Sequence, residues 1–287
     1  MKAQKLIVFT LLAILLLSTF ACGGGATTGS INVVSDPAGA AVYLDGVDTG
    51  GVTPYLVTEL DPGDYTIKLT YYHYKDKVET VTVKAGKTTD IDWALTYADE
   101  TTLTIQPGPA EGKDAYIVMG EPDFNGGSTW WLSAGANDVY SPCRTYLQFD
   151  LSTIPATAVV TDANLGLYNY YYELSRPVAA SIGAYDVTSN WDEGAITWSN
   201  QPTTAATPET TTTVPVDATY DFICWSIDKL VQGWIDGSIP NYGIMLKDTD
   251  ESTPESIKWF WASDYTGYVG LGPHPKLVVA YYDPADP

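Results

Sequence analysis

Positive charge is what this sequence has least of. Its 287 residues hold 14 lysines and arginines against 35 aspartates and glutamates, a formal net charge of −21. Such a chain is repelled by phosphate backbones, which excludes nucleic acid as a partner and disfavours acidic polysaccharides. Histidine is nearly absent, with only His73 and His274. A histidine-based zinc site or a serine triad therefore has little to be built from. Of three cysteines, Cys143 and Cys224 lie in no metal-ligand spacing. In an exported chain they are either a disulfide pair or two free thiols. Amphipathic helical periodicity is missing before residue 225.

What is present is threonine, valine, tyrosine and tryptophan in short runs broken by glycine, proline, aspartate and asparagine. That composition predicts an all-β chain of antiparallel strands and frequent turns. The first 21 residues stand apart. Lys2 and Lys5 precede an apolar run from Leu6 to Leu17, then small residues and Cys22. The order basic, apolar, small matches an export signal, and the run is short for a membrane span. Cys22 after Thr19-Phe20-Ala21, with Gly23-Gly24-Gly25 behind it, resembles the lipid-attachment site of a prokaryotic lipoprotein. The expectation is a signal over 1–21, a glycine-rich tether over 22–29, and a cell-envelope or extracellular protein whose membrane attachment is the lipid on Cys22 alone. Removing the signal takes two lysines and no acid, leaving 12 basic residues against 35 acidic ones.

Residues 30–95 read as strands separated by Pro37-Ala38-Gly39-Ala40, Asp45-Gly46, Pro62-Gly63 and Lys84-Ala85-Gly86-Lys87. The last of these predicts a closing hairpin between "VETVTV" and "TTDIDWAL". The ordered set "SDPAGAAVYLDG", Gly51-Val52-Thr53-Pro54 and "LDPGDY" resembles the PEGA domain. That resemblance implies a small antiparallel β-sandwich serving as a spacer or interaction module at the cell envelope, and it brings no catalytic residues.

A polar joint at 96–102 leads to a second domain over 103–283, with 284–287 as a tail. Its landmarks are "FDLSTIP", "ANLGLY", "WDEGAITWSNQP", "DKLVQGW", "NYGIML" and "HPKLVVAY". Together they resemble the DNRLRE domain, also described as carbohydrate-binding module family 96 and related to disaggregatase-type proteins. The resemblance implies a jelly-roll sandwich, here with one short helix. In that helix Asp228 is the expected N-cap, Leu230, Val231, Trp234 and Ile235 share a face, and Gly237 is the stop.

The sequence offers no catalytic residues. In "WDEGAITWSNQP" Asp192 and Glu193 are neighbours, whereas a glycosidase needs two carboxyls facing each other across the substrate. Trp191 and Trp198 read as loop anchors and the acids as acceptors for turn amides. Sugar rings present C–H faces to flat aromatics, which singles out Trp130 and Trp131, the stripe of Tyr168, Tyr170 and Tyr172 opposite Leu165 and Leu167, and Trp259 and Trp261 around Phe260. Family-96 modules are associated with alginate, an anionic polymer, and the scarcity of arginine here argues instead for a neutral glycan, a protein partner or no ligand. No cofactor is expected. Asp114 or Asp264 would suit a structural calcium ion, but no loop spacing assigns a metal ligand. The leading expectation is a non-catalytic carbohydrate-binding sandwich, its partner a polysaccharide or another cell-surface component. The alternatives are an adhesive protein without a glycan ligand and a polysaccharide-degrading enzyme.

Overall fold

The computed structural model describes residues 27–139, 141–170, 178–216, 220–267 and 272–285. The export signal, the Cys22 lipid site and Tyr172 lie outside them. The described chain forms two units. One takes the residues up to Thr70 with Lys77–Leu95, and the other Tyr71–Asp76 with the residues from Thr96 on.

The first unit holds β1 (Gly29–Asp36), β2 (Ala41–Leu44), β3 (Val47–Val52), β4 (Tyr55–Leu60), β5 (Gly63–Thr70), β6 (Lys77–Val83) and β7 (Thr88–Ala94). They form a sheet β4-β1-β7 and a second sheet β3-β2-β5-β6. Alternation turns Ile31 and Val33 of β1, Val42 of β2 and Ile67 and Leu69 of β5 inward, all without solvent exposure. The expected closing hairpin is not formed. Lys84–Lys87 carries the chain from one sheet to the other, so β6 pairs with β5 and β7 pairs with β1. The β1–β7 ladder is parallel, the one departure from antiparallel pairing among the unit's described strands.

The second unit is an antiparallel two-sheet sandwich. It comprises β8 (Thr101–Ile105), β9 (Asp114–Val118), β10 (Trp131–Ala134), β11 (Cys143–Leu147), β12 (Val159–Tyr170), β13 (Ala180–Asp186), β14 (Thr210–Val214), β15 (Asp221–Ser226), β16 (Ile244–Asp248), β17 (Lys258–Trp261) and β18 (Lys276–Tyr282). One sheet runs β10-β17-β12-β18-β8 with β15 also on β12; the other runs β14-β13-β16-β11-β9. Leu165, Leu167, Phe260, Leu277 and Val279 from the first sheet meet Leu147, Ile182, Ala184 and Leu246 from the second. Trp225 lies wholly inside and donates its indole N–H to the Ile182 carbonyl, 2.8 Å across the core.

The helix α1 (Asp228–Asp236) lies against β12 and buries Leu230, Val231, Trp234 and Ile235. Asp228 is its first residue, not its cap: Ile227 holds the N-cap position and makes no side-chain cap bond. Gly237 ends it with φ 75°, a conformation a side chain disfavours. Cys143 and Cys224 are both free. Cys143 is buried on β11, while Cys224 alternates with the inward Trp225 on β15 of the opposite sheet and is exposed, so the disulfide does not form.

Candidate functional site

Two outer sheet faces flank this sandwich, and the chain treats them differently. On the five-stranded sheet, Ile117, Tyr146, Tyr185 and Met245 point away from the main core yet are buried, because the segment after β13 folds back over them. That segment is "VTSNWDEGAITWSNQP". Val187, Trp191 and Ile196 enter this second core, with Trp198 packed at its side. The indole N–H of Trp191 donates to the Tyr242 carbonyl at 2.8 Å. Asn125 donates through its amide to the carbonyls of both Glu193 and Ile196 at 2.7 Å. Arg144 lies 4.4 Å over the Trp198 ring, donates to Gln201 at 2.7 Å and forms a two-pronged pair with Glu251. The tryptophans and turn acids here hold the fold together.

On the other sheet the outer face carries aromatic rings across three adjacent strands. Trp131 of β10 stands opposite Trp261 of β17, and Tyr170 of β12 opposite Trp259. Tyr168 and Tyr170 sit opposite the buried Leu165 and Leu167, as strand alternation requires. Tyr170 stacks on Trp261 with centroids 3.9 Å apart and planes 10° apart, and Tyr265 stacks on Trp261 at 3.9 Å and 21°. Two rings that close to one indole must occupy its opposite faces, so Trp261 is sandwiched and offers no face to a ligand. Tyr265 continues to Trp130, 6.2 Å away and nearly parallel at 11°. Trp130 is 54% exposed, whereas Trp131 is half-buried and its N–H is directed to the Tyr116 hydroxyl at 3.2 Å. Tyr168 turns away from this row and meets Phe222 edge-on at 5.1 Å, with Lys276 lying 3.7 Å over the Phe222 ring.

The residues singled out from sequence thus divide. Trp130, Trp131, Tyr170, Trp259 and Trp261 come together on one face, and Tyr168 belongs to a separate pair. Tyr265 escaped notice in the sequence. Its signal is the spacing in "WASDY": a tight turn after a strand brings aromatics four residues apart into contact.

That turn also carries a carboxyl. Ala262 donates its N–H to the Trp130 carbonyl at 3.2 Å, and Ser263 donates its own to Asp114 Oδ2 at 3.0 Å. Asp114 in turn donates its backbone N–H to Glu193 Oε1 at 2.8 Å. Asp114, Glu193 and Asp264 therefore converge beside the turn that places Tyr265. Burial, with Glu193 and Asp264 adding repulsion, pushes the Asp114 carboxyl up to about 7. Burial likewise raises Glu193 and Asp264 above the usual carboxylate range. Gly127 lets this assembly close, since a Cβ there would stand 2.2 Å from the Glu193 carbonyl oxygen. Among the described residues no group of three or more His, Cys, Asp or Glu side chains is placed to hold a metal ion.

A family profile described as carbohydrate-binding module family 96 matches residues 109–264, and a PEGA domain profile matches residues 28–99. Among solved structures, the Bacillus anthracis TIE protein is similar at 9% identity with a TM-score of 0.20, over 71% of this chain and 43% of that one. The chain spans under half the length of that protein. No curated protein matches the sequence.

Proposed function

From the premise that this chain belongs to carbohydrate-binding module family 96 and carries a PEGA domain ahead of that module, we propose that it is a cell-envelope lipoprotein presenting a non-catalytic, polysaccharide-binding sandwich. The observation that carries this reading is the aromatic row ending in the exposed Trp130, on the outer face of the six-stranded sheet. A sugar ring laid on Trp130 covers apolar C–H surface against a flat indole whose position is set by Tyr265. Trp131 and Trp259 act behind it as support, being half-buried and in edge contact at 6.5 Å.

The non-catalytic part of the proposal rests on the carboxyls. Asp114 is only 3% exposed and has no access to a glycosidic oxygen. Glu193 has one oxygen occupied by the Asp114 N–H. Glycoside cleavage needs two reachable carboxyls facing each other across the bond, whereas Glu193 and Asp264, the partly exposed pair here, lie beside one another. Lipid attachment at Cys22, polysaccharide as the partner, and export follow the sequence expectations and belong to this proposal.

The test is retention of the full chain on immobilised neutral, amino and uronic polysaccharides. Trp130→Ala is expected to weaken binding at least about tenfold, as for an exposed aromatic anchor, with the melting temperature unchanged. Binding indifferent to that substitution would remove the site, and retention on none of the matrices would remove the function. Release of reducing ends from any of them would overturn the non-catalytic reading.

A further inference from the structure

Building on the carbohydrate-binding reading, we propose that the platform of Trp130 and Tyr265 takes a polysaccharide bearing free amino groups, with Asp264 and Glu193 as its anionic contacts. The first ground is position. Tyr265 and Asp264 are adjacent on the one turn whose Ala262 N–H is bonded to Trp130, so ring and carboxyl are held by the same few residues. Asp264 is close enough to Glu193 to raise its proton affinity.

The second ground is unused polar capacity. Among the described residues no donor bonds to the Asp264 carboxyl, and Glu193 is bonded through Oε1 alone. Asp114 leaves Oδ1 without a partner. His274, 6% exposed, leaves Nδ1 without one, its Nε2 being engaged with the Tyr265 carbonyl at 2.7 Å. Two of these atoms, Asp114 Oδ1 and His274 Nδ1, are buried, and buried polar atoms are ordinarily satisfied.

The third ground is charge. Three carboxyls, Asp114, Glu193 and Asp264, meet at this corner against two basic groups, Lys113 acting on Glu193 and His274 on Asp264. Lys113 donates to Gln148 at 2.6 Å and lies 4.4 Å over the Trp191 ring. His274 is the remaining basic group beside Asp264. A uronate laid on Trp130 would bring its own carboxylate against Asp264 and Glu193 and be repelled. A neutral sugar would stack but would strip water from half-buried carboxylates without replacing its hydrogen bonds. A protonated amine supplies both charge and donors, and such charge-assisted bonds are about twice as strong as neutral ones.

Calorimetric titration of the full chain with short oligomers of glucosamine, of N-acetylglucosamine and of a uronic acid separates these cases. Near pH 6, where a sugar amine is substantially protonated, the glucosamine oligomer is expected to bind about tenfold tighter than the acetylated one. The uronic oligomer is expected not to bind. The preference should vanish in roughly 0.5 M salt, which screens partly exposed charges. Asp264→Asn should lose the tenfold preference, the glucosamine oligomer falling to about the affinity of the acetylated one. Equal affinity for the two glucosamine forms, or binding of the uronic oligomer, overturns the inference. The carbohydrate-binding reading still stands in that event if any oligomer binds in a Trp130-dependent way; if none binds, both fall.

Discussion

Asp114 shows what a single carboxyl contributes. One oxygen accepts the Ser263 N–H, the other has no partner, and burial lifts its proton affinity from an ordinary value of 3.8 to about 7. Between those two values the folded chain holds a proton that the unfolded chain has released. Stability from this residue is therefore full below about pH 4, declines as pH rises through the window, and is lost above about pH 7. Asp114→Asn keeps an acceptor for Ser263 and removes the titration. The variant is expected to exceed the parent in stability above neutrality, by up to about 4 kcal/mol, with the gap narrowing toward pH 4. Urea unfolding at several pH values checks this, and parallel pH curves for the two proteins would contradict it. In the sequence Asp114 was legible as a hard oxygen donor and nothing more. Its partners Glu193 and Ser263 are far away along the chain, and no local pattern encodes them.

Among the elements, the segment after β13 illustrates the same division. Its two tryptophans and turn residues were readable as anchors, because Trp191 and Trp198 interrupt a polar loop and Asn200 and Pro202 punctuate it. The surface they cover was not readable. A strand's alternation says that Ile117, Tyr146 and Met245 share one side, but not that their side is roofed by the same chain. Similarly, Lys84–Lys87 has hairpin chemistry, yet β6 pairs with β5 and β7 with β1, in different sheets. The roof has a measurable weight. Trp191→Ala opens the second core and is expected to destabilise the sandwich by about 3–5 kcal/mol. Trp198→Ala removes a half-buried ring and the platform under Arg144, and should cost less, about 1–2 kcal/mol. Chemical denaturation orders the two, and a larger loss at Trp198 would mean that the segment is anchored from its far end.

For the whole sandwich, the all-β class and the two-module order followed from composition and from ordered landmarks spread along the chain. Pairings across the core did not, as the cysteines show. Burial pushes the Cys143 thiol up to about 12, so it is both hidden and unreactive, whereas Cys224 faces out. In the native protein Cys224 is expected to react with a thiol reagent and Cys143 only after unfolding, and a reductant should leave the melting temperature unchanged. A melting point lowered by reductant would restore the bridge. The roofed sheet has a further consequence. A sandwich that seals one outer face with its own chain is one-sided: it can lie on a polymer or a wall in a single orientation, as a tile is laid glazed side up. Probes attached to the sealed side, at Ser199 for instance, should still reach solvent when the aromatic side is occupied, so binding would sort labels by side and not by sequence position.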